Sequence, residues 1–445
     1  MFFLVALAFS FPLCSTDYDH NECALFAGEP TSIVGGCVSG ITGNYFIKRN
    51  DLTVVGHEPI PITRYYSSHR EKAKMGGWEF FFDHLIAELI IREEGESTLS
   101  IPEKAGFRLT YVVKNKTNTT YSYILKGNYP EITNCFTGEI SARLNVLNNK
   151  VYDDPNNKSV LLVDAADGTQ RAYYAYTNRY LFLIWEDLPN KNRVHYKWEM
   201  VFGQYRLIKI TTTDATTKKH YAHVEIQYDQ VDEKTLNQIT IKTSDHRVLH
   251  YNIRNQKHGG TLYWLLDSVI QPNLPDEKYE YYGSKKGGCV IAKNQFPEGR
   301  ELSVLHYIEK NNWVGNENVF LASAKDARYK RIHSLRGPIG RDGSLQNIFT
   351  FHYEPGKYRK GAGATTVYDA MGNASYYYYN KFFLLDRIKR CDRGTHTFYE
   401  ELFHWHPNTK KGGSFLKAKT LVDENGIPFF AHLYHYDKKG NVIHE

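Results

Sequence analysis

Tyr368-Asp369-Ala370-Met371-Gly372-Asn373 returns near the end of the chain as Tyr436-Asp437-Lys438-Lys439-Gly440-Asn441. In each copy an aromatic closes a strand. Asp stands first in a type I turn, where its carboxylate can accept backbone N–H groups, and Gly stands three residues on, where a positive φ carries no steric cost. That is the chemistry of a tight β-hairpin with a bulge. A third turn, Asp423-Glu424-Asn425-Gly426, keeps the Asp-x-x-Gly spacing but has Val422 before it in place of Tyr. The signal is therefore a degenerate repeat of irregular period.

The flanking residues extend the pattern. Val367 leads into the first turn and the aromatics Tyr376 to Tyr379, Phe382 and Phe383 leave it, while Leu433-Tyr434-His435 leads into the last. Tyrosine is the anomaly in composition, with 34 in 445 residues beside 24 Phe and only 4 Met, and aromatic residues favour half-buried pleated surfaces. Alternation is clearest at Val224, Ile226, Tyr228, at Leu249, Tyr251, Ile253 and at Phe349, Phe351, Tyr353. Residues 84–91 have a helix-compatible composition, but their β-branched end and Gly95 predict a strand. No long amphipathic helix is legible. A net charge of +6, from 55 basic and 49 acidic residues, makes no case for nucleic acid as partner.

A second motif opens the chain. Between Gly36 and Ser68, Thr42-Gly43-Asn44 marks a turn and Tyr45, Ile47, Leu52 and Val54 are strand positions. Asp51 precedes Leu52, Gly56 breaks the strand, and Pro59 leads to Arg64-Tyr65-Tyr66-Ser67-Ser68, with Gly77-Trp78 beyond. With the Tyr-Asp hairpins, this succession resembles the YD-repeat or rearrangement-hotspot (Rhs) family, a bacterial group that includes toxin-related proteins. Gly43, Asn44, Asp51, Gly56, Arg64, Tyr66, Gly77 and Trp78 stand at the positions of that family's shell-opening segment. Tyr368, Asp369, Gly372, Asn373, Tyr436, Asp437, Gly440 and Asn441 stand at its hairpin turns.

The resemblance implies an all-β chain whose antiparallel hairpins follow one another as a continuous spiral sheet, forming part of a hollow shell around a toxin or effector domain. The expected division is 1–14 a signal peptide, 15–75 the shell-opening segment, 76–360 degenerate hairpin repeats, and 361–445 YD-type hairpins. The family's self-cleaving core and effector match nothing here, so the expectation is an amino-terminal portion of a shell. Its partner would be a downstream shell or effector polypeptide, or a second copy joined through the open last strand. No catalytic, cofactor-binding or metal-binding residue carries over.

Residues Phe2 to Leu13 are almost wholly apolar and too few to span a bilayer, so they read as the core of a secretory signal, although no Lys or Arg precedes them. Export to the medium or the cell surface is the expectation. Cys14, Cys23, Cys37, Cys135, Cys289 and Cys391 form no C-x-x-C pair, which argues against structural zinc. Cys23 and Cys37 are near enough to bridge in an oxidising compartment, but sparse cysteine equally fits buried thiols. The basic run from Lys325 to Lys360 reads as a solvated sheet rim.

Catalytic signals are thin. No G-x-S-x-G elbow, H-E-x-x-H helix or Walker loop is present. Glu93-Glu94 and Glu400-Glu401 are adjacent, so on strands each pair diverges. His404 and His406 would share a strand face, but a third metal ligand is identifiable only in Glu400 or Glu401. Two alternatives to a shell remain: an exported adhesin or carbohydrate-binding protein with a glycan or host-surface target, marked by Tyr376 to Tyr379 facing solvent, and a secreted β-rich hydrolase using carboxylates from distant turns.

Overall fold

A computed structural model describes residues 32–445 apart from 93–96, 103–106, 117–120, 126–131, 135–139, 142–149, 166–167, 215, 285–287, 298–299, 309–312, 315–319, 322–327, 339–342, 356–362, 381–383, 394–395, 406–415 and 437–441. The apolar leader, Cys14, Cys23, Cys135, Glu93-Glu94, His406, Asp437, Gly440 and Asn441 lie outside the described residues. Among those described, the chain is built of β-strands with short 3-10 turns and no α-helix.

One long antiparallel sheet dominates. From Lys150–Asp154 onward, successive strands pair in chain order as far as Glu301–Ile308, which pairs directly with Ile332–Pro338. Sequential pairing then resumes to Pro428–Leu433. The sheet is not closed: among the described residues its last strand, Pro428–Leu433, pairs with Leu416–Asp423 alone. Near the start, Ile86–Ile90 pairs with the first residues of Tyr180–Asp187 and with Thr98–Pro102, and residues 81–85 before it form a 3-10 turn.

A single turn geometry recurs where strands reverse. At Asp369, the backbone N–H donates to Asn373 O at 3.0 Å, and Gly372 N–H donates back to Asp369 O at 3.0 Å. The Asp369 carboxylate collects the N–H groups of Met371 (2.8 Å) and Asn373 (2.9 Å). Asp423 repeats this with Asn425 at 2.9 Å and Ile427 at 2.7 Å. The same pair of backbone bonds joins Ala165 to Thr169, Leu188 to Asn192 and Thr243 to Arg247. The fourth residue has positive φ each time: Gly168 86°, Lys191 64°, His246 64°, Gly372 84° and Gly426 79°. The repeat is thus more regular in space than in sequence, because Lys191 and His246 occupy a position that Asp-x-x-Gly leads one to expect as glycine.

The curve of the sheet is filled by the chain's own opening segment. Strands Phe46–Val54, Ile60–Ser67 and Trp78–Phe80 form a separate three-stranded sheet. Because Trp78–Phe80 pairs with Arg64–Tyr66, this unit runs past residue 75. Ile47, Val54, Ile62, Tyr66, Trp78 and Phe80 share one apolar cluster with Phe182, Val224, Tyr251, Leu266, Ile291, Leu335, Phe351 and Tyr377 of the outer sheet. From the unit's other side, Phe46 and Tyr65 pack with Leu99, Tyr111, Leu161 and Tyr173. Each such large side chain removed from water contributes about 1.5–3 kcal/mol, so the unit acts as the core on which the sheet folds. The alternating positions read from sequence point inward accordingly: Leu249, Tyr251 and Phe351 are buried, as are Val224 and Ile226.

Candidate functional site

The most chemically distinctive place in the molecule is where the opening unit meets the outer sheet. Arg64, at the centre of Ile60–Ser67, is fully buried. A buried guanidinium requires acceptors on every side. Its Nε donates to Asp51 Oδ2 at 2.7 Å, Nη1 to the Tyr279 hydroxyl and Nη2 to Glu277 Oε2. The plane also lies over the rings of Trp78, 4.9 Å from its centroid, and Tyr279, at 5.4 Å.

Each acid is tied in turn. Tyr251 donates its hydroxyl to Asp51 Oδ2 at 2.7 Å, and Gln271 Nε2 donates to Asp51 Oδ1 at 3.0 Å. Arg49 approaches Glu277 Oε1 at 3.7 Å. Two arginines therefore face two carboxylates. Burial pushes the Asp51 carboxyl up against the opposing pull of Arg64. At Glu277 burial acts in the same upward sense, but Arg64 and then Arg49 outweigh it and hold the group below the usual carboxylate range. Arg64 is carried well above its ordinary value, because the two acids outweigh its own desolvation. A cleft of about 320 Å³ lies against this cluster, lined by Arg49, Asp51, Gln271, Leu274, Pro275 and Glu277.

The remaining residues of the opening motif form a continuous set around Arg64. Asn44 Oδ1 accepts from the hydroxyls of Ser67 (3.0 Å) and Ser68 (3.1 Å) and from His69 N–H (3.3 Å), which pins the turn at Thr42–Asn44 to the end of the second strand. Gly43 has φ +69°, and a Cβ there would stand 2.6 Å from Arg331 Cβ. Gly77 has φ +100°, and its Cβ would stand 2.6 Å from Ser67 O. Tyr66 accepts Ile291 N–H at 2.9 Å, and Trp78 Nε1 donates to Tyr281 at 2.9 Å. Gly56 stands apart, near Ala222, with room that is tight but not closed.

Sequence reading singled out Asp51, Arg64, Tyr66 and Trp78 as motif residues and Tyr251 only as an alternating strand position, but not Glu277, Tyr279 or Tyr281. Those partners lie some 200 positions away, as in the 213-residue separation of Arg64 and Glu277, where no local spacing rule reaches. The hairpin residues Tyr368, Asp369, Gly372 and Asn373 sit together at a different turn of the sheet, and Tyr436 lies on a short strand paired with Val442–His444. The basic run is not only a solvated rim. Lys330 pairs with Glu71, and Arg331 lies 5.0 Å from the Tyr353 ring centroid while donating to Ile41 O at 3.2 Å. Among the described residues, no three His, Cys, Asp or Glu side chains are grouped to hold a metal. Cys37, Cys289 and Cys391 are buried, and burial pushes the Cys289 thiol up to about 12.

No family model matches the chain, and no curated protein does. Among solved structures, a porin-like protein from Bacteroides uniformis aligns at 10% identity and TM-score 0.24, over 52% of this chain and 95% of that one. The TcdB2–TccC3 structure aligns at 10% identity and TM-score 0.31, over 86% of this chain and 21% of that one. A Tc holotoxin pore from Photorhabdus luminescens aligns at 10% identity and TM-score 0.20, over 91% of this chain and 23% of that one. This chain spans under a quarter of the length of the two toxin chains it is similar to.

Proposed function

We propose that this chain is a non-enzymatic, exported component of a toxin-related β-shell, whose hairpin sheet is built on its own opening segment and is continued by a second polypeptide carrying the effector. The observation that carries the reading is the open sheet edge. Along Pro428–Leu433, Phe429, Phe430 and Leu433 are exposed, with Ile427 just before them, whereas the neighbouring strand Leu416–Asp423 buries Ala418 and Val422. An exposed edge with apolar side chains on both faces is suited to accept another strand. A structural role for the buried charges supports the same reading, since Asp51 and Glu277 are both committed to Arg64.

The test is to purify the chain alone and with the polypeptide encoded beside it, then compare mass in solution and protease cleavage within 416–444. The expected result is a complex in which these strands become protected, and which Phe430→Lys with Leu433→Lys prevents. A monomer that ignores the partner would overturn the reading. A glycan-binding surface on Tyr376 to Tyr379 gains no support, because Tyr377 and Tyr379 are buried and the other two are partly covered.

A further inference from the structure

The cleft beside Arg64 holds a buried charge that the protein leaves half used. Glu277, 1% exposed, gives Oε2 to Arg64, but among the described residues its Oε1 accepts no hydrogen bond. Arg49 Nε stands 3.7 Å from that oxygen, within ion-pair range and beyond hydrogen-bond reach. A sealed carboxylate oxygen costs free energy unless something donates to it. Asp51, equally buried, differs: Arg64 and Tyr251 share its Oδ2, and Gln271 donates to Oδ1.

The walls around Glu277 keep the cleft open. On one side the ladder of Phe46–Val54 shifts register between Asn50 and Leu52, a bulge that re-aims the side chains beside it. On the other, the connection 271–276 contains Pro272 and Pro275 and turns at Asn273 with φ +62°. Prolines have no N–H to draw such a loop into a ladder. Leu274 in this connection is 52% exposed and lines the cleft. Arg49 is braced by Phe296, whose ring centroid is 4.7 Å from the guanidinium carbon. Few polar groups below an apolar lip of Leu274, Pro275 and Pro297 are the make-up of a small-ligand site.

We propose that this cleft binds a neutral polyhydroxyl ligand, one pyranose ring, with one hydroxyl donating to Glu277 Oε1 and a neighbouring hydroxyl accepting from Arg49. Charge decides the class. Arg49 and Arg64 balance Asp51 and Glu277, so the floor has no net charge to hold a free ion, and a cation at Oε1 would also meet Arg49. A neutral diol offers a donor and an acceptor on adjacent atoms, which matches a carboxylate beside a guanidinium. The volume of about 320 Å³ is at the low end for ligand pockets and suits a single ring, its C–H face against Leu274 and the two prolines. The site needs the opening unit seated on the sheet, and it does not depend on a partner chain continuing that sheet.

Titration of the full chain with the methyl glycosides of glucose, galactose, mannose and N-acetylglucosamine, read by saturation-transfer NMR and calorimetry, tests this. At least one is expected to bind, with the same affinity at low and high salt, as a neutral ligand requires. Glu277→Gln keeps the shape but removes the charged acceptor, and should lower affinity roughly tenfold or more. Leu274→Ser, at an exposed position, should lower it severalfold, and it decides the question alone if the Glu277 variant does not fold. A glycan ending in the same sugar is compared with the free glycoside, and binding of either through these residues upholds the site. No binding by any of the four overturns the proposal. So does binding that either variant leaves unchanged, or binding of methylguanidinium in place of the sugars.

Discussion

The opening unit and the last hairpins are made from the same kinds of residue and have opposite fates. In 46–80, Ile47, Tyr66, Trp78 and Phe80 are at most 2% exposed, and even Arg64 is sealed. In 427–433, Ile427, Phe429, Phe430 and Leu433 are 47–61% exposed. The difference lies in what surrounds each stretch. The first packs against sheet on both sides, whereas the second has, among the described residues, a neighbour on one edge only. Aromatic content alone therefore does not mark a core; the topology decides which aromatic strands become one.

The contrast predicts a graded series. Removing Arg64 as Arg64→Ala strands Asp51 and Glu277 in the interior, and should cost about 3–5 kcal/mol in urea unfolding, the range for breaking a buried ion pair. The matching change in the terminal hairpins, Arg387→Ala, loses a stacked contact 4.1 Å from the Tyr378 centroid and a 3.6 Å approach to Glu400 at a part-exposed site. It should cost under about 1 kcal/mol. Similar losses in both variants would show that the buried charge cluster is not a keystone.

Glycine sharpens the comparison because φ can be held constant while the surroundings change. Gly43→Ala forces a Cβ against Arg331 and should cost about 2–3 kcal/mol from backbone strain and overpacking together. Gly426 has a similar φ of +79° with nothing within 4 Å of a Cβ, so Gly426→Ala should cost about 1 kcal/mol, the backbone share alone. Thermal melts of both variants would separate the two contributions. Equal shifts would mean that the contact at Gly43 relaxes freely.

Smaller effects are expected at the turn and the edge. Asp369→Ala loses two backbone N–H partners and the 2.9 Å bond from Asn373 Nδ2, and should lower stability by about 1 kcal/mol without changing the strand register. Phe430→Ser should leave the unfolding midpoint of the isolated chain within about 0.5 kcal/mol of the original. A large loss there would mean that Phe430 is covered, and the open edge would need to be redrawn.

The hairpin architecture was legible because Asp-x-x-Gly encodes its turn locally, through a carboxylate that reaches two N–H groups and a residue that tolerates positive φ. The turns at Lys191 and His246 were not, since their backbone geometry is imposed by the strands they join. Within the candidate site, Asn44 with Ser68 and Asp51 with Arg64 are near neighbours in sequence and could be read together as a motif. Their closure onto Tyr251, Glu277, Tyr279 and Ile291 depends on how the sheet curves, which no short-range pattern specifies. For the same reason the sequence pointed to a continuous hairpin sheet, and not to an opening segment packed against that sheet as its core.

The most direct test of the central claim, that the opening unit is the core on which the sheet folds, is to delete residues 32–82 and follow urea unfolding by tyrosine and tryptophan fluorescence. The account predicts that the remaining sheet shows no cooperative transition and exposes its inner face to hydrophobic dyes. A soluble chain that unfolds cooperatively at the original midpoint would contradict it.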